Sequence, residues 1–435
     1  MYKIFFITFG CKVSRYETEC MMNCFAKQDF ILSETEDDAD VFVVNSCTVT
    51  GSGDSKSLYA VRKLRRDHPD SVIVLTGCLP QAAPETADKC MEADIITGTK
   101  EREKLPGLVK QAIESRSRIV EITEYTGNDV FEDMSDGCIS GRTRAFLKIQ
   151  DGCNCFCSYC IIPYARGRCR SKPMESIRKE AKLFVETGHR EIVLVGINLA
   201  FYGQEYGLRL VDAVEECCKT DGIERVRLGS LEPEMISDDD LTRLSQLPEF
   251  CPQFHLSLQS GSLRTLQRMH RKYTPGEYMT LVKKIRRIFP EAAFTTDIMV
   301  GFPQETDEEF AESMAFAEEV GFAKIHVFQY SPRSGTIAAK MSGHVPKNKK
   351  AERAERMKAL GEELQKKHLQ SLVGRTVPVL FERENSDEFH QGHAPDYTII
   401  KISRKNSKKS LRNCIFYVTI EEAHNDYCYG SISES

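Results

Sequence analysis

The stretch DGCNCFCSYC, residues 151–160, places four thiols in eight positions: Cys153, Cys155, Cys157 and Cys160. Thiolates are soft ligands, and so dense a set suits zinc or an iron–sulfur cluster. Zinc ribbons bring two CxxC-like pairs together across a longer loop. Here Cys157 and Cys160 form one such pair, no second pair follows at the usual distance, and Cys169 stands alone. Grouped instead as CxxxCxxC, Cys153, Cys157 and Cys160 supply three ligands to a four-iron cubane and leave one iron open. Spacing alone leaves both a closed zinc site and an open cluster standing.

Three further cysteines end apolar runs: Cys11 after TFG, Cys47 after VVNS and Cys78 after LTG. The runs Tyr2–Phe9, Val41–Asn45, Val72–Leu75 and Asp94–Ile96 read as strands, and Ser14–Lys27 and Ser55–Asp67 read as helices between them. That alternation predicts a parallel sheet covered on both faces. In such a sheet functional groups gather beyond the carboxyl ends of the strands, so three cysteines distant in sequence would converge there. The alternative is three ordinary packing cysteines, since thiols fill strand ends well.

A polar stretch near 127–142 predicts a linker. Beyond it six apolar runs, Ala145–Gln150, Glu191–Gly196, Val226–Ser230, Phe254–Gln259, Phe294–Gly301 and Lys324–Tyr330, alternate with helical segments such as Glu175–Thr187 and Asp307–Val320. Six βα units predict a full or partial (β/α) barrel, and CxxxCxxC follows its first strand, on the face where such barrels carry active sites. Pro346–His368 reads as a charged helix. After Gly374, the short runs Val377–Glu382, Tyr397–Ile402 and Cys414–Ile420 predict a small β-barrel.

The chain has 435 residues, 41% hydrophobic and 28% charged, with a formal net charge of −5. That length predicts two or three domains. No apolar window is long enough to cross a bilayer. MYKIFFITFGC has a basic residue and an apolar run but no small-residue cleavage site, so it reads as a first strand rather than a leader. Seventeen cysteines without a secretion signal predict thiols kept for metal or redox chemistry in a reducing cytoplasm.

Other candidates have plainer readings. Cys20 and Cys24, four apart on an amphipathic helix, read as packing residues, and Cys217 and Cys218 point in different directions. His255 and His326 read as core or hydrogen-bonded histidines, and the acidic segment around Met134 as a solvated connection. Lys401, Arg404, Lys405, Lys408, Lys409 and Arg412 fall within twelve residues that contain no acid. They form either a solvated loop or a phosphate-binding surface, with Tyr397, Phe416 and Tyr417 near enough to stack on unpaired bases.

CxxxCxxC after the first barrel strand, with Tyr159 before its last cysteine, resembles the radical S-adenosylmethionine enzymes. TFGCK, VVNSCTVT and TGC, with CSYCIIPYARGRCRS, HLSLQSGS, DIMVGFPQET and FQYSPRSGT, are similar to the methylthiotransferases of that superfamily over essentially the whole chain. VNSCTVT and CSYCIIPYARG are most similar to the branch acting on N6-threonylcarbamoyladenosine at tRNA position 37. The resemblance implies an α/β chain in three parts: a flavodoxin-like sheet domain at 1–135, a radical S-adenosylmethionine partial (β/α)6 barrel at 136–370, and a TRAM β-barrel that binds RNA at 371–435. It implies two [4Fe–4S] clusters, one on Cys153, Cys157 and Cys160 whose open iron chelates S-adenosylmethionine. The auxiliary one, on Cys11, Cys47 and Cys78, would carry the sulfur. Tyr159, Glu232, Gln259 and Ser260 are the implied contacts to S-adenosyl-L-methionine, and the basic C-terminal residues the implied RNA contacts. The implied partners are a tRNA anticodon loop, an electron donor of flavodoxin or ferredoxin type and a sulfur source, with no membrane. Close alternatives are methylthiolation of isopentenyladenosine-37 or of a ribosomal-protein aspartate. An alternative of another class is a non-catalytic, metal-stabilised RNA-binding protein. The chain departs from the family pattern at Leu79-Pro80, where Tyr-Ala is usual, at Cys155 in the gap of the radical motif, and at Cys169.

Overall fold

The computed structural model describes residues 1–49, 51–134, 143–382, 388–404 and 409–433. Six parallel strands, β1 (Lys3–Thr8), β2 (Ile31–Leu32), β3 (Val41–Ser46), β4 (Val72–Gly77), β5 (Ile95–Thr97) and β6 (Ile119–Glu121), pair in the order β2-β1-β3-β4-β5-β6. The central strand VFVVNS is buried at every position, as expected of a strand covered on both faces. Its alternate residues feed two cores: Val41 and Val43 pack with Met21 and Phe25, while Phe42 and Val44 pack with Val61 and Leu64. The strand order reverses between β1 and β3, and Cys11, Cys47 and Cys78 all lie beyond carboxyl ends at or beside that reversal. The two edge strands β2 and β6, which sequence patterning does not reveal, are too short and too exposed to show a period.

The second unit begins with β7 (Arg144–Lys148). A small antiparallel pair follows, β8 (Gln150–Asp151) and β9 (Arg170–Ser171), bracketing the cysteine loop. Then come β10 (Glu191–Val195), β11 (Arg225–Leu228), β12 (Ser230–Leu231), β13 (Gln253–Leu256), β14 (Ala293–Val300) and β15 (Lys324–Gln329). The parallel ladders run β7-β10-β11 and β12-β13-β14-β15, and the third strand of the arc is broken at Gly229 between β11 and β12. The six expected strands therefore form a partial barrel, with no ladder joining β7 to β15 among the described residues.

The helix Lys12–Ala26 lies against this barrel. Val13 packs on Val193 and Val195, and Tyr16 and Cys20 enter the main barrel core. Glu17 carries the sheet domain's charge into that interface, bonding Lys148 Nζ at 2.6 Å and Arg166 at 2.7 and 2.9 Å. The segment around Met134 is a correction to the solvated connection expected of it. Met134 packs on the barrel core, Glu132 pairs with Arg102, and Asp133 lies 3.2 Å from Lys172 Nζ. Acidic composition concealed an interface in which each carboxylate has a buried cation.

The helix Lys347–Ser371 leads to a closed barrel of β16 (Thr376–Phe381), β17 (Phe389–His393), β18 (Ile399–Ser403), β19 (Ile415–Ala423) and β20 (Cys428–Ile432), in the order β16-β17-β18-β20-β19. Its core is Val379, Phe381, Ile400, Ile402, Val418 and Ile420. Arg225 and Arg227 fasten it to the central barrel by donating to the carbonyls of His393 (2.8 Å), Pro378 (2.8 Å) and Pro395 (2.7 Å). No helix is long and apolar enough to cross a membrane.

Candidate functional site

The loop after β8 owes its path to Gly152. Its φ is +71°, and a Cβ there would stand 1.9 Å from the Arg168 carbonyl oxygen, so no side chain fits. Backbone bonds then fix the loop: Cys153 N–H donates to Gly167 O (3.1 Å), Cys160 N–H to Cys157 O (3.0 Å) and Ser158 N–H to Met269 O (3.0 Å). Cys153 Sγ accepts from the Cys155 N–H at 3.4 Å and from the Asn198 amide at 3.8 Å, and Cys157 Sγ from Arg271 at 3.5 Å. The Cys155 thiol donates to Cys153 and brings it down to about 7. Burial pushes Cys160 up to about 12 and also raises Cys157, where Arg271 opposes it.

The proposed S-adenosylmethionine contacts do not share one role. Glu232 is paired with Arg271, which links it to Cys157. Tyr159 packs edge-on against Phe302, with ring centroids 6.4 Å apart. Gln259, at φ +63°, continues the ladder beside β14 through its N–H to Asp297 O and its carbonyl to Met299 N–H. Ser260 is buried, its hydroxyl 3.0 Å from Ser313 Oγ.

The second cysteine set is assembled by the sheet. Cys11 caps the helix Lys12–Ala26, Cys47 follows β3, and Cys78 opens a short helix after β4. Gly10, at φ +112°, presses against Cys47: a Cβ there would lie 2.9 Å from Cys47 Cβ. Burial raises Cys47 and takes Cys78 up to about 11, with Arg166 as the chief opposing influence on Cys78. Arg166 comes from the barrel loop just past Cys160 and also bonds Glu17 and Asp151 (3.1 Å), tying the two cysteine loops into one buried ion network. Burial alone would raise Glu17; Arg102, Arg166 and Lys148 override it and hold the carboxylate well below its ordinary range. Asn198, Arg271, Arg166 and Glu17 carry no local sequence signal, because each meets its thiol or ion partner only through the fold.

Tetrahedral zinc at about 2.3 Å from sulfur draws thiolates to within about 4 Å of one another. Neither cysteine triplet is that tight. Among the described residues the group of three whose ligand atoms all fall within 4.8 Å is His255, Asp297 and His326. Three thiols are the donor count of a four-iron cluster that keeps one iron open, one thiolate per iron.

A cavity of about 580 Å³ opens beside Cys11 where all three parts of the chain meet. Cys11, Lys12 and Arg15 line it from the sheet domain, His255, Asp297 and His326 from the barrel lumen, and Tyr397 from the C-terminal barrel. His255 is hydrogen-bonded as expected, Nδ1 to Thr295 Oγ1 at 2.9 Å, but His326 is exposed to the cavity rather than placed in a core. Tyr397 lines the same cavity. Its ring is faced by Arg227 (4.7 Å), Arg144 (5.0 Å) and Lys12 (5.6 Å), because its positive φ of +73° turns it toward the central barrel. Of the remaining aromatics, Phe416 packs near Phe381 and Tyr417 is exposed. Of the basic run, Lys401 Nζ lies 3.8 Å from the centre of the Tyr427 ring, and Arg404, Lys409 and Arg412 sit on or beside β18 and the turn before β19. Lys405 and Lys408 lie outside the described residues.

The Radical SAM superfamily model matches residues 147–317, and the Uncharacterized protein family UPF0004 matches residues 3–98. The chain is 37% identical over 405 residues to the threonylcarbamoyladenosine tRNA methylthiotransferase MtaB of Bacillus subtilis, covering 91% of this chain and 89% of that one. The chain belongs to the radical S-adenosylmethionine methylthiotransferase family. The Acetivibrio thermocellus tRNA-2-methylthio-N(6)-dimethylallyladenosine synthase is 34% identical, with 86% of this chain and 79% of that one covered. Among solved structures, the radical S-adenosylmethionine methyltransferase TsrM of Kitasatospora setae shares the fold, with a TM-score of 0.57 at 12% identity and 76% of each chain covered. Membership of the Radical SAM superfamily implies a [4Fe–4S] cluster and S-adenosylmethionine.

Proposed function

We propose that this methylthiotransferase inserts a methylthio group at C2 of N6-threonylcarbamoyladenosine at position 37 of tRNA. In this reading Cys153, Cys157 and Cys160 hold the cluster that binds S-adenosylmethionine, and Cys11, Cys47 and Cys78 hold an auxiliary [4Fe–4S] cluster. The observation that supports it best is the cavity beside Cys11, reached by the sheet domain, the barrel lumen and the C-terminal barrel together. The adenine C2–H offers no acidity that a side-chain base could use. When bound, the two clusters and S-adenosylmethionine supply the one-electron and sulfur chemistry that such a carbon demands.

The chain's own residues do the rest. Arg271 and Asn198 donate to Cys157 and Cys153 and favour their thiolate forms. Arg166 and Glu17 fix the two cysteine loops relative to each other, so that the reacting groups are held within reach. A flavodoxin- or ferredoxin-type electron donor and a sulfur source complete the cycle, and the C-terminal barrel with Lys401, Arg404, Lys409 and Arg412 offers the RNA its phosphate contacts.

Mass spectrometry of tRNA nucleosides from cells lacking the gene tests the substrate. The methylthio-threonylcarbamoyl nucleoside should disappear and return with the wild-type gene but not with Cys157→Ala. Loss of the methylthio-dimethylallyl nucleoside instead would reassign the enzyme to the second tRNA substrate.

A further inference from the structure

The lumen floor beneath Cys11 has a composition that the cluster chemistry does not require. Strand alternation turns His255 on β13, Asp297 on β14, and Lys324 and His326 on β15 toward the same cavity, and the register sets Asp297 directly opposite His326. His255 and His326 have ring centroids 5.9 Å apart. The His255 Nδ1 position is fixed by Thr295, and its buried Nε2 has no hydrogen-bond partner. Asp297 Oδ2 lies 3.5 Å from that nitrogen, near enough for charge but too far for a good hydrogen bond. Lys12 and Arg15 line the facing wall.

The three groups are spaced closely enough for a metal ion, but their surroundings disfavour a cation. Burial lowers His326, Asp297 alone among its charged neighbours raises it, and His255, Lys324 and Lys12 lower it further. Asp297 thus faces several basic groups, while the cavity's other carboxylates, Asp396 and Asp426, come from the C-terminal barrel and Asp396 is paired with His368; what the floor lacks is an anion.

We infer that His326, His255 and Lys324, with Lys12 opposite, form the receptor for the carboxylate on the N6 substituent of the target adenine. Asp297 accepts from the N–H or O–H groups of that same substituent. This deepens the proposed function and rests on it. A threonylcarbamoyl group carries one carboxylate, a hydroxyl and amide N–H groups, and so matches a mixed basic and acidic floor. A dimethylallyl group carries none of these and would displace water from the floor's polar groups without pairing them. The receptor shares its cavity with Cys11, so the substituent's anchor and the proposed sulfur-bearing site lie on one surface.

The test uses the fully reconstituted enzyme and three anticodon stem-loop RNAs. Their adenosine-37 carries threonylcarbamoyl, the same group with its carboxylate converted to a carboxamide, or dimethylallyl. Methylthio product is read by mass spectrometry as kcat/KM. The wild-type enzyme should prefer carboxylate over carboxamide by about ten- to a hundredfold, the range of one or two charge-assisted hydrogen bonds. His326→Leu, and more so His326→Leu with Lys324→Met, should collapse that preference toward unity, and His326→Gln should restore part of it. Iron content of the same preparations reports that the variants are folded. If the wild-type enzyme converts the threonylcarbamoyl RNA and the variants keep its preference, the receptor assignment is wrong. If the wild-type enzyme acts only on the dimethylallyl RNA, the substrate assignment fails and the receptor with it.

Discussion

The peptide N–H of Cys155 points at Cys153 Sγ, and the Asn198 amide lies 3.4 Å from Cys155 Sγ and 3.8 Å from Cys153 Sγ. Cys155 supports the neighbouring thiolate with its backbone N–H, which any residue keeps, and with its thiol, a bond that iron on Cys153 would replace, so its side chain is the expendable one of the four. Cys155→Ala should keep the full iron content after anaerobic reconstitution, whereas Cys157→Ala should lose about half of it; iron analysis beside protein concentration decides. Glu17 makes a different prediction. Its carboxyl is held below the ordinary value of 4.5, so its contribution to stability is complete above that pH and is lost as the pH falls through the lower folded value. The melting temperature should drop on acidification below about pH 4.5, and Glu17→Gln should flatten that dependence. At neutral pH the same variant should be destabilised, because Arg102, Lys148 and Arg166 lose the carboxylate they share and keep only Glu132 and Asp151. Cys153, Cys157 and Cys160 could be grouped by their spacing, and Cys11, Cys47 and Cys78 by their places after strands. Asn198, Arg271 and Arg166 could not, since hydrogen bonds between residues 45 to 149 positions apart leave no periodic trace.

At the scale of elements, the turn from β1 into the helix Lys12–Ala26 does two jobs, seating Cys11 against Cys47 and laying Val13 and Glu17 on the central barrel. Gly10→Ala would need a left-handed residue and a Cβ 2.9 Å from Cys47 Cβ. It should displace that pair, so we expect loss of roughly half the iron with cleavage of S-adenosylmethionine retained, measured as deoxyadenosine release. The long buried strands and amphipathic helices were readable from hydrophobic period. The edge strands β2 and β6 and the strand FHQGH of the C-terminal barrel were not, because their pairing is set by neighbours rather than by their own apolar pattern. The segment around Met134 misled for a related reason: charge predicts solvent only where no buried cation is waiting for it.

For the whole molecule, three separately recognisable units matter less than the space they enclose. The helix Lys12–Ala26 lies against the barrel arc, and Arg225 and Arg227 hold the C-terminal barrel to it by main-chain carbonyls. Tyr397 then turns inward against Arg144, Arg227 and Lys12. No single unit's sequence announces that cavity. We propose that two separate three-cysteine sites, the Cys11 set beside this cavity and the Cys153 set tied to it through Arg166 and Glu17, each hold a four-iron cluster. Iron analysis with parallel assay of S-adenosylmethionine cleavage, on wild-type protein and on the Cys11→Ala, Cys47→Ala, Cys78→Ala triple variant, tests this most directly. The expected result is about eight irons per chain falling to about four, with cleavage retained. A triple variant that kept about eight irons would contradict it.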